Sequence, residues 1–233
     1  MQLLKATDIQ RFDNWTCLIY AEAGKGKTTM VKSLSGRTLV FSIDGMFSVL
    51  SQLKDVDIVQ MDSKKPSDEL ADFYRFLIKN LDSYDNIVVD NLSTLQKMWL
   101  NAQSKLTKSG MPEMKDYAIV DRVIFDFISS LKNLNKNILL FAHEKKMEIT
   151  RESGGVYTQF QPDLRNIEAV MGIIPLVGRL VVSTNQETQE RERIIVLQPT
   201  NATKAKDQLI GNIETVKQME LFPTLNKTEE KGE

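Results

Sequence analysis

The densest chemistry in the chain lies in nine consecutive residues, Ala21-Glu22-Ala23-Gly24-Lys25-Gly26-Lys27-Thr28-Thr29. They match the phosphate-loop pattern G-x-x-x-x-G-K-[ST], with Ala21 in place of the first glycine. The spacing has a physical reason. Gly24 and Gly26 let backbone N–H groups curl around phosphate oxygens without Cβ clashes. A helix opening at Thr29 points its positive end at the same oxygens. Lys27 reaches the β- and γ-phosphates, and the Thr28 hydroxyl ligates Mg²⁺. Residues 22–29 are thus the expected cradle for ATP. The competing reading is a glycine-rich turn that binds nothing, and the apolar run before the loop argues against it.

Three further positions complete a phosphoryl-transfer site. Asp90 ends the run Ile87-Val88-Val89, where a carboxylate holds Mg²⁺ through water; Asp90 or Asn91 also serves to start the next helix. Asp44 ends another apolar run just before Gly45, where it orients or deprotonates the attacking water or simply makes a turn. His143, the single histidine, ends a third run and is followed by Glu144; a polar group there senses the γ-phosphate. No arginine falls close to these residues in the sequence.

Such a site needs strands to carry it. Thr16–Tyr20, Thr38–Ile43, Val56–Met61, Asn86–Asp90 and Asn137–Ala142 are short, β-branched or aromatic-rich runs. Between them, Leu70, Phe73, Tyr74, Leu77, Ile78 and Leu81 fall on one helical face, as do Tyr117, Val120, Ile124, Phe127, Ile128 and Leu131. Thr29–Leu34 and Leu92–Gln103 read as helices, the second placing Met98 and Trp99 in the core. Alternating buried strands and helices predict an α/β fold with a mostly parallel sheet. Arg179–Thr184 and Arg193–Leu197, around the charged turn 185–192, predict a C-terminal antiparallel hairpin. Segment 145–162 reads as a long loop or a hairpin. A single domain is expected over residues 1–221, with a polar, disordered tail over 222–233.

Composition sets outer bounds. The 233 residues are 42% hydrophobic and 26% charged, with 11 Gly and 6 Pro, which excludes collagen-like, coiled-coil and wholly disordered chains. Thirty Lys and Arg face 31 Asp and Glu, for a net charge of -1, so any nucleic acid must bind a local patch rather than a basic coat. A single cysteine, Cys17, excludes an intrachain disulfide and a cysteine-based metal site. No apolar run reaches the roughly 18 residues of a membrane span, and Met1–Lys5 does not read as a signal peptide. A soluble, cytoplasmic protein with no membrane partner is expected.

Taken in order, the phosphate loop, SIDGM (42–46), VVDN (88–91), FAHEKK (141–146), QPDLR (161–165) and TKAKDQLIG (203–211) resemble the RecA-like ATPases. Within them the chain is similar to small phage-encoded nucleotide-binding proteins, short relatives of RecA-type recombinases and single-strand annealing proteins. The resemblance runs from about Thr16 to Gly211. It implies an ATPase that binds single-stranded DNA, assembles as a homo-oligomeric ring or filament, and meets a single-strand-binding protein in the host cytoplasm. A glutamate activates water in that family; Asp44 and Met46 occupy its neighbourhood here, a departure that bears on hydrolytic rate. The segment after His143 is by resemblance the DNA-contacting loop. Lys145, Lys146 and Arg151 are basic there, though Glu144, Glu148 and Glu152 offset them, and Tyr157 and Phe160 are of the type that stacks on bases. Lys204 and Lys206 match basic residues that reach a neighbouring subunit's ATP site. Two other readings stand beside this one: a nucleotide-kinase-type phosphotransferase, which needs an arginine-rich lid that the scattered arginines do not form, and a nucleotide-dependent assembly factor without hydrolysis.

Overall fold

A computed structural model describes residues 14–151, 154–184, 189–211 and 213–227. Positions 185–188 of the charged turn, Glu152 and the tail beyond Lys227 lie outside the described residues, as does the N-terminal segment Met1–Lys5.

The chain runs through β1 (Thr16–Ala21), a 3₁₀ helix (Thr28–Ser33), β2 (Thr38–Ser42), β3 (Val56–Gln60), α1 (Pro66–Lys79), β4 (Asn86–Asp90), α2 (Leu92–Ser104) and α3 (Met114–Lys132). It continues through β5 (Asn137–Thr150), β6 (Val156–Pro162), α4 (Ile167–Ile173), β7 (Leu176–Thr184), β8 (Arg191–Val196), β9 (Lys206–Asp207), β10 (Thr215–Lys217) and α5 (Leu221–Lys227). The main sheet follows the order β10-β8-β7-β1-β5-β4-β2-β3. From β7 to β3 every pairing is parallel, whereas β8 and β10 add on antiparallel. The mostly parallel α/β sheet with its C-terminal hairpin is the architecture the sequence predicts.

The period of two in β1 explains the layering. Leu18 and Tyr20 enter one apolar layer, and Cys17, Ile19 and Ala21 the other. The first layer is roofed by α1, α2 and α3, through Phe73, Leu77, Leu95, Trp99, Ile124 and Leu131. Phe73 stacks on Phe41 with centroids 4.0 Å apart and meets Phe127 edge-on. The second layer is roofed by the 3₁₀ helix and α5, through Met30, Val31, Phe222 and Leu225. Strands buried on both faces need this double cover.

One expectation changes and two are made more specific. The turn after the phosphate loop is a 3₁₀ helix rather than an α-helix; Thr28, Thr29 and Val31 are β-branched, and six residues do not meet the nucleation cost of an α-helix. Segment 145–162 resolves as a hairpin: β5 continues past Ala142 to Thr150 and pairs antiparallel with β6, from Glu144 opposite Pro162 to Thr150 opposite Val156. The tail is ordered to Lys227, because α5 buries Phe222, only 1% exposed. Its ring lies 4.9 Å from that of Trp15, nearly parallel, and Asn226 accepts from the Trp15 indole. Among the described residues no helix is long and apolar enough to cross a membrane.

Candidate nucleotide site

The phosphate loop leaves β1 at the carboxyl edge of the parallel strands, where open α/β sheets bind ligands. Gly24 and Gly26 hold φ of +77° and +97°, conformations that L-residues with a Cβ rarely adopt. Glu22, Ala23 and Gly24 are exposed, Lys25, Gly26, Thr28 and Thr29 partly buried. Lys27 is buried, its ammonium donating to the carbonyls of Ala21 (3.1 Å) and Glu22 (3.2 Å). Burial pushes its pKa down, while Asp90, Asp44 and Glu144 pull it back up.

Thr28 follows, and its hydroxyl donates to Asp90 Oδ2 across 2.5 Å. The β4 carboxylate and the loop hydroxyl therefore converge on one point. Asp90 is only 4% exposed, and burial raises its pKa from 3.8 to about 6, with Asp44 adding to the rise and the Thr28 hydroxyl and Lys27 opposing it. Above that pH it is an ionised carboxylate in a dry place, which a hard cation relieves. Two oxygen donors are what Mg²⁺ takes from a protein when phosphates and water supply the rest. Mg²⁺ thus fits Thr28 and Asp90, and when bound it neutralises phosphate charge. Asp90 is not the helix cap; Asn91 is, its Oδ1 accepting from Thr94 N at 2.9 Å.

On the other side of Asp90 lie the tips of β2 and β5. The completely buried Asn91 amide donates to Asp44 Oδ2 (3.0 Å) and sits 3.3 Å from His143 Nε2. Asp44 Oδ1 accepts from Met46 N, which also makes Asp44 a turn residue. His143 is half-buried, and its backbone N–H donates to Ser93 Oγ. Desolvation, then Lys27 and Lys97, push its pKa down. An amide NH₂ facing Nε2 fits the same state, since a neutral ring accepts there and a protonated one does not. Asp44, Asp90 and His143 therefore gather around Lys27 and Thr28.

The basic and aromatic residues of the hairpin divide between its two faces. Lys145 lies opposite Gln161, and Ile149 opposite Tyr157, on one face. Lys146 lies opposite Phe160 on the other, pairing with Glu22 of the phosphate loop at 3.4 Å. Phe160 is covered by the Arg179 guanidinium, 3.5 Å from its centroid; Arg179 in turn pairs with Glu144 at 2.7 Å and donates to Thr203. Arg151 lies over Tyr157 at 5.2 Å. A cleft between hairpin root and phosphate loop is lined by Glu22, Lys25, Lys146, Phe160, Arg179 and Val182. Lys204 and Lys206 lie elsewhere: Lys204 pairs with Glu168, and Lys206 donates to the carbonyls of Met171 and Gly172 at the end of α4.

Sequence reading missed four participants. In sequence Asn91 reads as a possible cap, although the polar pair Asp90-Asn91 after an apolar strand hints at more. Arg179, Arg193 and Gln218 carry no local pattern. Arg193 is far from the loop in sequence but beside it in the fold: its Nε donates to the Lys25 carbonyl at 3.1 Å. Gln218 donates to the Gly26 carbonyl at 2.6 Å.

No curated protein sequence matches the chain significantly. Residues 13–209 match the AAA domain family, a span that takes in the phosphate loop, Asp44, Asp90, His143 and both lysines. With that match covering most of its length and the loop, hydroxyl and carboxylate assembled as described, the chain belongs to the AAA domain family and is a P-loop ATPase-type domain.

Proposed function

We propose that this P-loop ATPase-type domain is a DNA recombination protein of the phage RecA-like kind, which hydrolyses ATP, binds single-stranded DNA and promotes annealing or strand pairing. In this reading Lys27 and the N–H groups of residues 24–29 hold the phosphates. Thr28 and Asp90 would hold Mg²⁺. Asp44 orients or deprotonates the attacking water, with Asn91 fixing its carboxylate.

The observation that carries the DNA half is the continuity of β5. His143 stands in the nucleotide site, and the same strand runs on to Thr150 as one arm of the hairpin. That hairpin carries Lys145, Lys146, Arg151 and Tyr157. A strand that touches both regions transmits a shift at one to the other without a loop to absorb it. The Lys146–Glu22 pair adds a second link, since DNA phosphate and the loop carboxylate compete for one ammonium. A homo-oligomeric ring or filament belongs to the same proposal. There Lys204 and Lys206 would have to leave Glu168 and the α4 carbonyls to enter a neighbour's site.

One observation favours a second reading, a nucleotide-dependent assembly factor that turns over slowly. Both oxygens of Asp44 are already engaged, by Met46 N and by Asn91, which leaves fewer lone pairs free to take a proton from water. ATP turnover by the full chain, measured with and without single-stranded DNA and with Lys27→Ala as the blank, separates the two. Stimulation by DNA supports the recombination reading. Tight ATP binding with neither DNA binding nor stimulation overturns it.

A further inference from the structure

Arg193 and Gln218 reach the phosphate loop from the C-terminal part of the chain, 168 and 192 residues from their acceptors. Arg193 projects from the antiparallel strand β8 and is itself exposed. Gln218 opens a short second 3₁₀ helix, Gln218–Glu220, directly after β10 and is only 4% exposed. Their acceptors are consecutive carbonyls, those of Lys25 and Gly26.

A trans peptide unit is planar, so its C=O and the next residue's N–H point in opposite directions. Drawing the Lys25 carbonyl toward Arg193 turns the Gly26 N–H the other way. Drawing the Gly26 carbonyl toward Gln218 does the same for the Lys27 N–H. Neither N–H is given to an acceptor among the described residues. Donation to a carbonyl also polarises its peptide and strengthens the N–H on the far side. Gly26 suits the arrangement twice over. It takes φ of +97°, and a Cβ there would stand 3.1 Å from Arg193 Nε and 3.3 Å from Gln218 Nε2.

We propose that Arg193 and Gln218 are positioning residues of the phosphate cradle. By holding two carbonyls outward they aim the Gly26 and Lys27 N–H groups at the phosphates of a nucleoside di- or triphosphate. The inference rests on the P-loop ATPase reading and adds to it the means by which the loop is held open for an anion.

The test uses the full chain, titrated with a fluorescent ADP analogue and Mg²⁺, and with inorganic tripolyphosphate followed by amide NMR. In the parent protein both the Gly26 and Lys27 amide protons move downfield on tripolyphosphate binding. Arg193→Ala should shrink the Gly26 shift and spare that of Lys27; Gln218→Ala should do the reverse. Each should weaken ADP binding about fivefold to twentyfold, the range for losing one hydrogen bond that orients a donor. Arg193→Lys, which retains a donor, should recover part of the loss. Gln218→Glu, nearly isosteric but unable to donate when ionised, should not bind better than Gln218→Ala. Arg193 is exposed, so its variants stay folded even if a Gln218 variant does not. A parent that binds ADP, with variants showing the same affinity and the same two amide shifts, overturns this inference and leaves the P-loop reading standing. A parent that binds neither ADP nor tripolyphosphate overturns both.

Discussion

Asn91 and Asp44 come from different strand tips and meet through a 3.0 Å hydrogen bond. The donor is a buried amide that also caps α2, so the carboxylate is held by a group the helix itself fixes. Asp44→Asn should therefore leave nucleotide affinity within about twofold and cut kcat by roughly 10²-fold, the lower range for loss of a general base. Fluorescent-nucleotide titration and steady-state turnover on the same preparations check this. Equal losses of binding and rate would place Asp44 with the phosphates instead of the water.

Asp90 gives a prediction of opposite signs. Its raised folded pKa means that the ionised form is disfavoured in the nucleotide-free fold, so its ionisation destabilises that fold as the pH rises through about 6. Asp90→Asn keeps an acceptor for Thr28 and removes the buried charge. At pH 7.5, without nucleotide or Mg²⁺, it should stabilise the protein by about 1–3 kcal/mol in urea unfolding, and Mg²⁺-dependent nucleotide binding should weaken at least tenfold. A variant less stable than the parent would show that the Thr28 contact outweighs desolvation.

His143 sets a pH dependence. Its folded pKa lies below its ordinary value of 6.5, so the unfolded chain binds more protons there and stability rises with pH through that window. The contribution is complete above pH 6.5 and is lost as the pH falls toward the folded pKa. Melting temperatures from pH 4.5 to 8 for the parent and His143→Gln should diverge only below about pH 6.5. Parallel curves across the whole range would contradict the shift.

The two hairpin aromatics should behave differently. Tyr157 is only partly buried, on the face with Lys145, and Tyr157→Ala should weaken single-stranded DNA binding by about 1–3 kcal/mol with little change in melting temperature. Phe160 lies beneath Arg179 and packs against the core, so Phe160→Ala should destabilise the fold as well. Binding should also fall with salt, with a log–log slope of roughly -2 to -4 for three to five phosphate contacts. Anisotropy titrations at several salt concentrations read both effects. DNA affinity indifferent to Tyr157 and to salt would remove the hairpin from the DNA site.

Much of this was legible because it is local. The strands announce themselves by β-branched runs, the loop by its glycines and lysine, and Asp44, Asp90 and His143 by ending strands that a parallel sheet must align. What sequence did not disclose is non-local. Asn91 reads as an ordinary cap until β2 and β5 flank it. Arg179 reads as a strand residue until Glu144 and Phe160 close on it. Arg193 and Gln218 touch the loop only because β8 and β10 join the sheet beyond β7, two and three strands from β1. The end of the chain misled for a compositional reason: two apolar anchors, Phe222 and Leu225, among polar neighbours look like a tail until Trp15 supplies the surface they cover.

That last contact bears on the order in which a newly made chain acquires its parts. The layer on one side of the sheet draws its roof from α1, α2 and α3, complete by Lys132, and from Ile167 and Val170 of α4. The opposite side carries Cys17, Ile19 and Ala21 beneath the loop. It lacks Leu221, Phe222 and Leu225 until synthesis has almost reached the end of the described chain. A ribosome-bound intermediate thus holds one finished face and one roofed only in part, by Met30 and Val31 of the 3₁₀ helix, and the part-roofed one underlies the phosphate loop. The loop's sequence emerges long before α5, so part of its foundation is laid well after it. Such an intermediate needs protection from aggregation on that side alone.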